Sequence, residues 1–123
     1  MSRDSFKQTT DTVSSRLAGL RTSTPGVMKA FGKLGRAATA PAALDARTKE
    51  GVALAPSVAA RCKRGFGFHT QTVARLGATR QEVDETLGVA VYMSGGPSLM
   101  YAASAVAAFD EALAALAAQV APA

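Results

Sequence analysis

The stretch DARTKEGVALAPSVAARCKRGFGFHTQTVARL, Asp45–Leu76, decides the reading of this chain. Its apolar residues recur at helical spacing, and no alternation of strand type appears. Asp45 is a helix N-cap residue type, and the spacing predicts a helix from there to about Arg61. Pro56 lies inside it and should kink it, because proline lacks a backbone donor and crowds the preceding turn. A second helix is predicted from about Cys62 to Leu76, ended by Gly77. Cys62 and His69 are the chain's single cysteine and single histidine, and they stand seven residues apart. Positions i, i+3 and i+7 share a helix face, so Cys62, Gly65 and His69 line up on one side. Glu50, twelve residues before Cys62, belongs to the preceding helix. A carboxylate, an imidazole and a thiol can therefore meet between two consecutive helices. This is the one cluster in the chain equipped for thiol or acid–base chemistry.

Helical spacing extends in both directions. A first helix is expected from about Asp4 to Leu20, with Phe6, Val13, Leu17 and Leu20 inward. Thr24-Pro25-Gly26 should open the next, with Thr24 as cap and Val27, Met28, Phe31 and Leu34 inward, ending near Ala38. Thr79-Arg80-Gln81-Glu82 is a capping box and opens a fifth helix to about Met93. Pro97 opens a sixth, reaching about Gln119. On it Leu99, Val106, Leu113 and Val120 recur every seven residues, with Ala102, Phe109 and Leu116 three further on, which reads as an a/d seam facing a bundle core. The fold class expected is all-α, about six helices in one domain spanning residues 1–123.

Composition narrows the function classes. Hydrophobic residues make up 48% and charged residues 19%, which describes a globular chain. All 14 Lys and Arg lie within residues 1–80, against four acids there, while residues 81–123 hold five acids and no base. The basic residues are scattered singly apart from Arg61-Lys63-Arg64, which argues against nucleic acid as a partner. Attraction between the basic and acidic halves, within or between subunits, is the simpler account. A lone cysteine cannot build an internal disulfide framework, and MSRDSFKQTT has no apolar leader core, so a reducing cytoplasm is expected. The charge-free run from Thr86 to Phe109 is long enough for a membrane span. Gly95-Gly96-Pro97 interrupts it, and it reads instead as two buried helical segments. A short chain of this kind commonly completes its core by oligomerising.

With these residues in view, Leu44–Ala102 resembles the core of the carboxymuconolactone decarboxylase superfamily, closest to its alkylhydroperoxidase D-like branch. That branch carries Glu-x11-Cys-x2-Cys-x3-His, and Glu50, Cys62 and His69 fall at its spacings. The capping-box helix start and Gly95-Gly96-Pro97-Ser98 also match. The resemblance implies an all-α fold, assembly into homo-oligomeric trimers or hexamers, and a peroxidase of antioxidant type acting on small hydroperoxides. It implies no cofactor. The departure is Gly65, which stands where the branch has its second, peroxide-attacking cysteine. Carried over, the resemblance makes Cys62 the resolving thiol and Glu50 and His69 the proton relay.

Each site residue has two readings. Cys62 lies near a helix N-terminus beside Arg61, Lys63 and Arg64, which favours a thiolate, or it is a buried, inert thiol. His69 and Glu50 act as a proton shuttle, or they form a structural pair. One His and one Cys do not make a metal site. Gly65 either leaves a small pocket between Cys62 and His69, with Tyr92 and Ser94 in its lining, or marks drift after the cysteine was lost. Two functions follow. One is a thiol oxidoreductase impaired at Gly65, which needs an external thiol reductant to resolve oxidised Cys62. The other is a non-redox protein, using His69 and Glu50 on a small carboxylated or lactone substrate or binding a small ligand without catalysis.

Overall fold

The computed structural model describes residues 5–120 and contains six α-helices and no strand among them. They are α1 (Phe6–Ser23), α2 (Pro25–Thr39), α3 (Ala46–Ala59), α4 (Lys63–Arg75), α5 (Arg80–Ser94) and α6 (Gly96–Val120). The first helix starts at a capping box in which Ser5 and Gln8 satisfy each other's backbone amides. The earlier start expected at Asp4 lies outside the described residues. Asp45 accepts from the Thr48 amide at 2.7 Å and so caps α3 as its residue type demands. Thr79 and Glu82 close the capping box of α5. Pro56 sits inside α3, which continues past it to Ala59.

The central element is α4, packed against α6, α3 and α1. Its Phe66 is fully buried beside Phe109, Leu54, Val58 and Val73, and these residues form the core with Val83 and Leu87 of α5. Gly67 faces α1 at close range. A Cβ added there would stand 2.9 Å from the Thr10 methyl, so glycine is what allows α1 to seat on α4. The Phe6 and Phe66 rings, 6.1 Å apart, extend the same contact.

Two expectations about inward faces are corrected. On α2, Val27, Phe31 and Leu34 are 67%, 70% and 63% exposed, and no residue of the helix is buried. The periodicity correctly marks one apolar face, but within this chain that face meets no partner. Thr24 occupies the N-cap position of α2, and its carbonyl accepts from the Met28 amide, but its side chain does not cap the helix; the hydroxyl instead joins its own amide in donating to the Leu20 carbonyl that ends α1. Leu20 itself is also exposed.

On α6, the buried face runs Ser98, Ala102, Ala105, Phe109 and Ala112, while Leu99, Leu113 and Val120 point outward. The seam is thus rotated by one residue toward the alanines. Small side chains let α6 approach α4 closely, and that contact outweighs burying the larger leucines at a wider spacing. By length and composition α6 is also apolar enough to cross a bilayer, although its alanine face lies in the core. The break expected before it falls at Gly95, whose positive φ of 85° ends α5.

Candidate active site

The elbow between α3 and α4 is made by backbone geometry. Ala60 closes α3, the Arg61 amide donates to the Val58 carbonyl at 3.0 Å, and the Cys62 amide donates to the Ser57 carbonyl at 2.9 Å. This pair of bonds is a Schellman motif, which requires a left-handed residue between the two helices. At the end of α4 the same motif uses Gly77, with φ of 86°. At the end of α3 it uses Arg61, with φ of 57°. A side chain there costs on the order of 1–2 kcal/mol. The turn places Cys62 directly at the N-cap of α4.

In that position the thiol does what Ser or Asp usually does. Its Sγ accepts from the Gly65 amide at 3.3 Å, satisfying an N–H that the first helical turn leaves free. A thiol sulfur is a weak acceptor, so this bond is made better by a thiolate. The sulfur therefore lies over Gly65. An added Cβ at Gly65 would sit 3.1 Å from Sγ and 3.3 Å from Ser57 Cβ. Ser57 has no sequence signal for this role; only the fold of the elbow brings it beside Gly65.

Glu50 of α3 and His69 of α4 meet directly. His69 Nδ1 lies 2.8 Å from Glu50 Oε2. An ionised carboxylate only accepts, so Nδ1 carries the proton and donates, leaving Nε2 free for chemistry. The Glu50 side chain is 13% exposed and that of His69 32%, so the carboxylate is shielded and the imidazole remains reachable. Cys62 is half-buried. Phe66 belongs to the core, and Phe68 lies at the surface next to His69.

Tyr92 is exposed on α5, and the Ser94 hydroxyl bonds the Ala90 carbonyl and the Ser98 hydroxyl. Two cavities are present elsewhere. One, of about 320 Å³, lies between α1, α4 and α6 beside Gln71, Arg75 and Glu111. The other is a groove of about 690 Å³ between α3 and α5. Neither is lined by Cys62, Gly65, His69, Tyr92 or Ser94. Among the described residues no group of three or more His, Cys, Asp and Glu side chains is arranged to hold a metal.

The fold and site together define an all-α protein with a carboxylate–imidazole pair and one thiol at a helix–helix elbow. Residues 25–108 match the carboxymuconolactone decarboxylase family, and the chain belongs to that family. It is similar to the apo crystal structure of a carboxymuconolactone decarboxylase family protein from Legionella pneumophila. That match has 50% identity and a TM-score of 0.85, covering 88% of this chain and 96% of that one. An uncharacterized protein from Cupriavidus necator is 41% identical over 86 residues, which is 70% of this chain and 76% of that protein. An uncharacterized protein of the cox locus of Paracoccus denitrificans is 34% identical over 82 residues, which is 67% of this chain and 74% of that protein.

Proposed function

We propose that this protein is an alkylhydroperoxidase D-like thiol oxidoreductase, a peroxidase for small hydroperoxides working in a reducing cytoplasm through one redox thiol. The observation that carries the reading is the 2.8 Å bond between Glu50 and His69 on the two helices whose elbow presents Cys62 at a helix N-terminus. A thiolate at Cys62 attacks the terminal oxygen of the hydroperoxide, and the O–O bond breaks. Sulfur supplies two electrons, and the leaving alkoxide takes a proton from His69 Nε2 to depart as the alcohol. That proton is the one the Cys62 thiol gives up to His69 Nε2 on becoming a thiolate, and Glu50 balances the imidazolium charge before the transfer. Cys62 is left as a sulfenic acid. One external thiol displaces water from it to give a mixed disulfide, and a second releases the Cys62 thiol and a disulfide.

Turnover is slow in this reading. Cys62 precedes His69 by seven residues, about 10 Å of helical rise, and position 65, one turn from the imidazole, has no sulfur. The lean of Sγ over Gly65 offsets part of that separation. Peroxide consumption with a dithiol reductant tests the proposal. Activity should vanish in Cys62→Ser and fall in His69→Ala and Glu50→Gln. Turnover that survives Cys62→Ser would refute it.

A second reading rests on Gly65 itself. The acid–base pair is assembled while the second thiol is absent, which suits proton transfer on a small carboxylated or lactone substrate, or ligand binding without turnover. Lactone conversion that is kept in Cys62→Ser and lost in His69→Ala, with no peroxide consumption, would select the acid–base form. Ligand binding with neither activity would select the binding form.

A further inference from the structure

The cavity of about 320 Å³ between α1, α4 and α6 lies apart from the elbow, and neither Cys62 nor His69 lines it. Its floor is a small-residue face of α6, Ala108, Ala112 and Ala115, and Gly67 leaves bare backbone on the α4 side. Protein interiors usually close such space, because apolar surface that faces a void loses its packing partners. Here polar bonds fix the third wall in place. Glu111 of α6 accepts from the amides of Phe6 and Lys7, the first residues of α1, at 3.2 and 3.1 Å. Gln71 of α4 donates to Thr10 Oγ1 at 3.3 Å. These bonds tie α1 to both of the other helices, so the three walls form one preorganised trough.

The charges around the trough are committed to one another, with one exception. Lys7 pairs with Asp11 at 2.7 Å. The Glu111 carboxylate faces the positive end of α1 and holds two of its amides. The exception is Arg75. It lines the cavity, donates only within its own helix to Thr72 Oγ1 at 3.2 Å, and makes no ion pair among the described residues. Gly67, Gln71 and Arg75 stand four residues apart on α4, so bare backbone, amide and guanidinium follow each other along one face. A guanidinium has five N–H donors in a planar fork that matches a carboxylate. An apolar trough edged by one uncommitted guanidinium is complementary to an anion with an apolar body.

We propose that this trough binds a small monocarboxylic acid with an apolar body. The carboxylate pairs with Arg75, and the body lies on the alanine face of α6 against Phe6 and Leu116. Gln71 stands one turn from Arg75, and its amide nitrogen has a second N–H beyond the one on Thr10. The groove between α3 and α5 does not compete for this ligand. Its cation, Arg47, is already paired with Glu82, and Glu85 adds a further negative charge. The site is independent of the function proposed for the elbow.

The test titrates the full chain calorimetrically with octanoate, octanamide and octylammonium in about 20 mM salt, where screening is weak, and uses circular dichroism to verify folding. Octanoate should bind at one site with a submillimolar dissociation constant, at least about tenfold tighter than either of the other two, because a charge-assisted bond is roughly twice as strong as a neutral one. Arg75→Gln, at an exposed position, should weaken octanoate to the level of octanamide and leave octanamide unchanged. Ala115→Leu, also at an exposed position, fills the trough and should abolish binding without lowering the melting temperature. Four outcomes overturn the proposal. These are no binding of octanoate up to about 5 mM, octanamide or octylammonium bound as tightly as octanoate, octanoate affinity unchanged in Arg75→Gln, and octanoate binding that survives in a folded Ala115→Leu protein.

Discussion

Replacing Gly65 by cysteine should convert the elbow into a closing dithiol. An ideal Cβ at position 65 lies 3.4 Å from Cys62 Cβ, 3.1 Å from Cys62 Sγ and 3.3 Å from Ser57 Cβ. Disulfides hold their Cβ atoms roughly 3.5–4.5 Å apart, so relaxation by a few tenths of an ångström suffices. The Cys62 sulfur must leave its bond to the Gly65 amide, a loss that the new S–S bond offsets. The closed loop holds four residues, for which chain entropy gives a stabilisation of about 2 kcal/mol relative to the reduced form. With an unfolding entropy of about 2.1 cal/mol/K per residue over 123 residues, that raises the melting temperature by roughly 8 °C. The variant is oxidised with diamide, counted for free thiols and melted with and without reductant. Two thiols should disappear, and peroxide consumption should rise at least about tenfold over wild type, since the new sulfur is one helical turn from His69. A folded variant that keeps both thiols after oxidation would refute the geometry. Equal turnover in the wild type and the variant would show that position 65 does not limit the chemistry.

Three further outcomes test the fold around the site. Gly67→Ala should destabilise the protein by about 1–3 kcal/mol, because its Cβ would stand 2.9 Å from the Thr10 methyl; in a Thr10→Ser background, which removes that methyl, the loss in chemical denaturation should shrink. Arg61→Gly should stabilise by about 0.5–1 kcal/mol, relieving the left-handed backbone at the end of α3, and a lower melting temperature would show that the Arg61 side chain contributes more than its strain costs. Thr48 holds the Asp45 carboxyl below its usual range by hydrogen bonding, first through its side chain and then through its amide, and the Thr79 amide does the same for Glu82. Both groups therefore bind protons more weakly when folded, so their stabilisation is complete above about pH 5 and lost as pH falls through 4 and below. A stability–pH curve for Asp45→Asn with Glu82→Gln should be flatter than that of the wild type in this window.

Much of the fold is written in local sequence. Asp45, Thr79 and Glu82 cap their helices because side-chain oxygens at those positions reach free amides whatever surrounds them. The Gly95 break and the approach of Glu50 to His69 also follow from spacing along helices. What spacing could not supply was the choice between faces and partners. A period of 3.6 marks Val27, Phe31 and Leu34 as one face, yet burial depends on a neighbour, and the helices that α2 does touch, α1 and α3, leave that face uncovered. On α6 the leucine seam lost to the alanine face because close approach to α4 is a property of two helices together. The left-handed turn at Arg61 has no local signal, since glycine is the residue that signals it. Tertiary structure alone holds that turn, and it sets Cys62 at the head of α4 with its sulfur over Gly65.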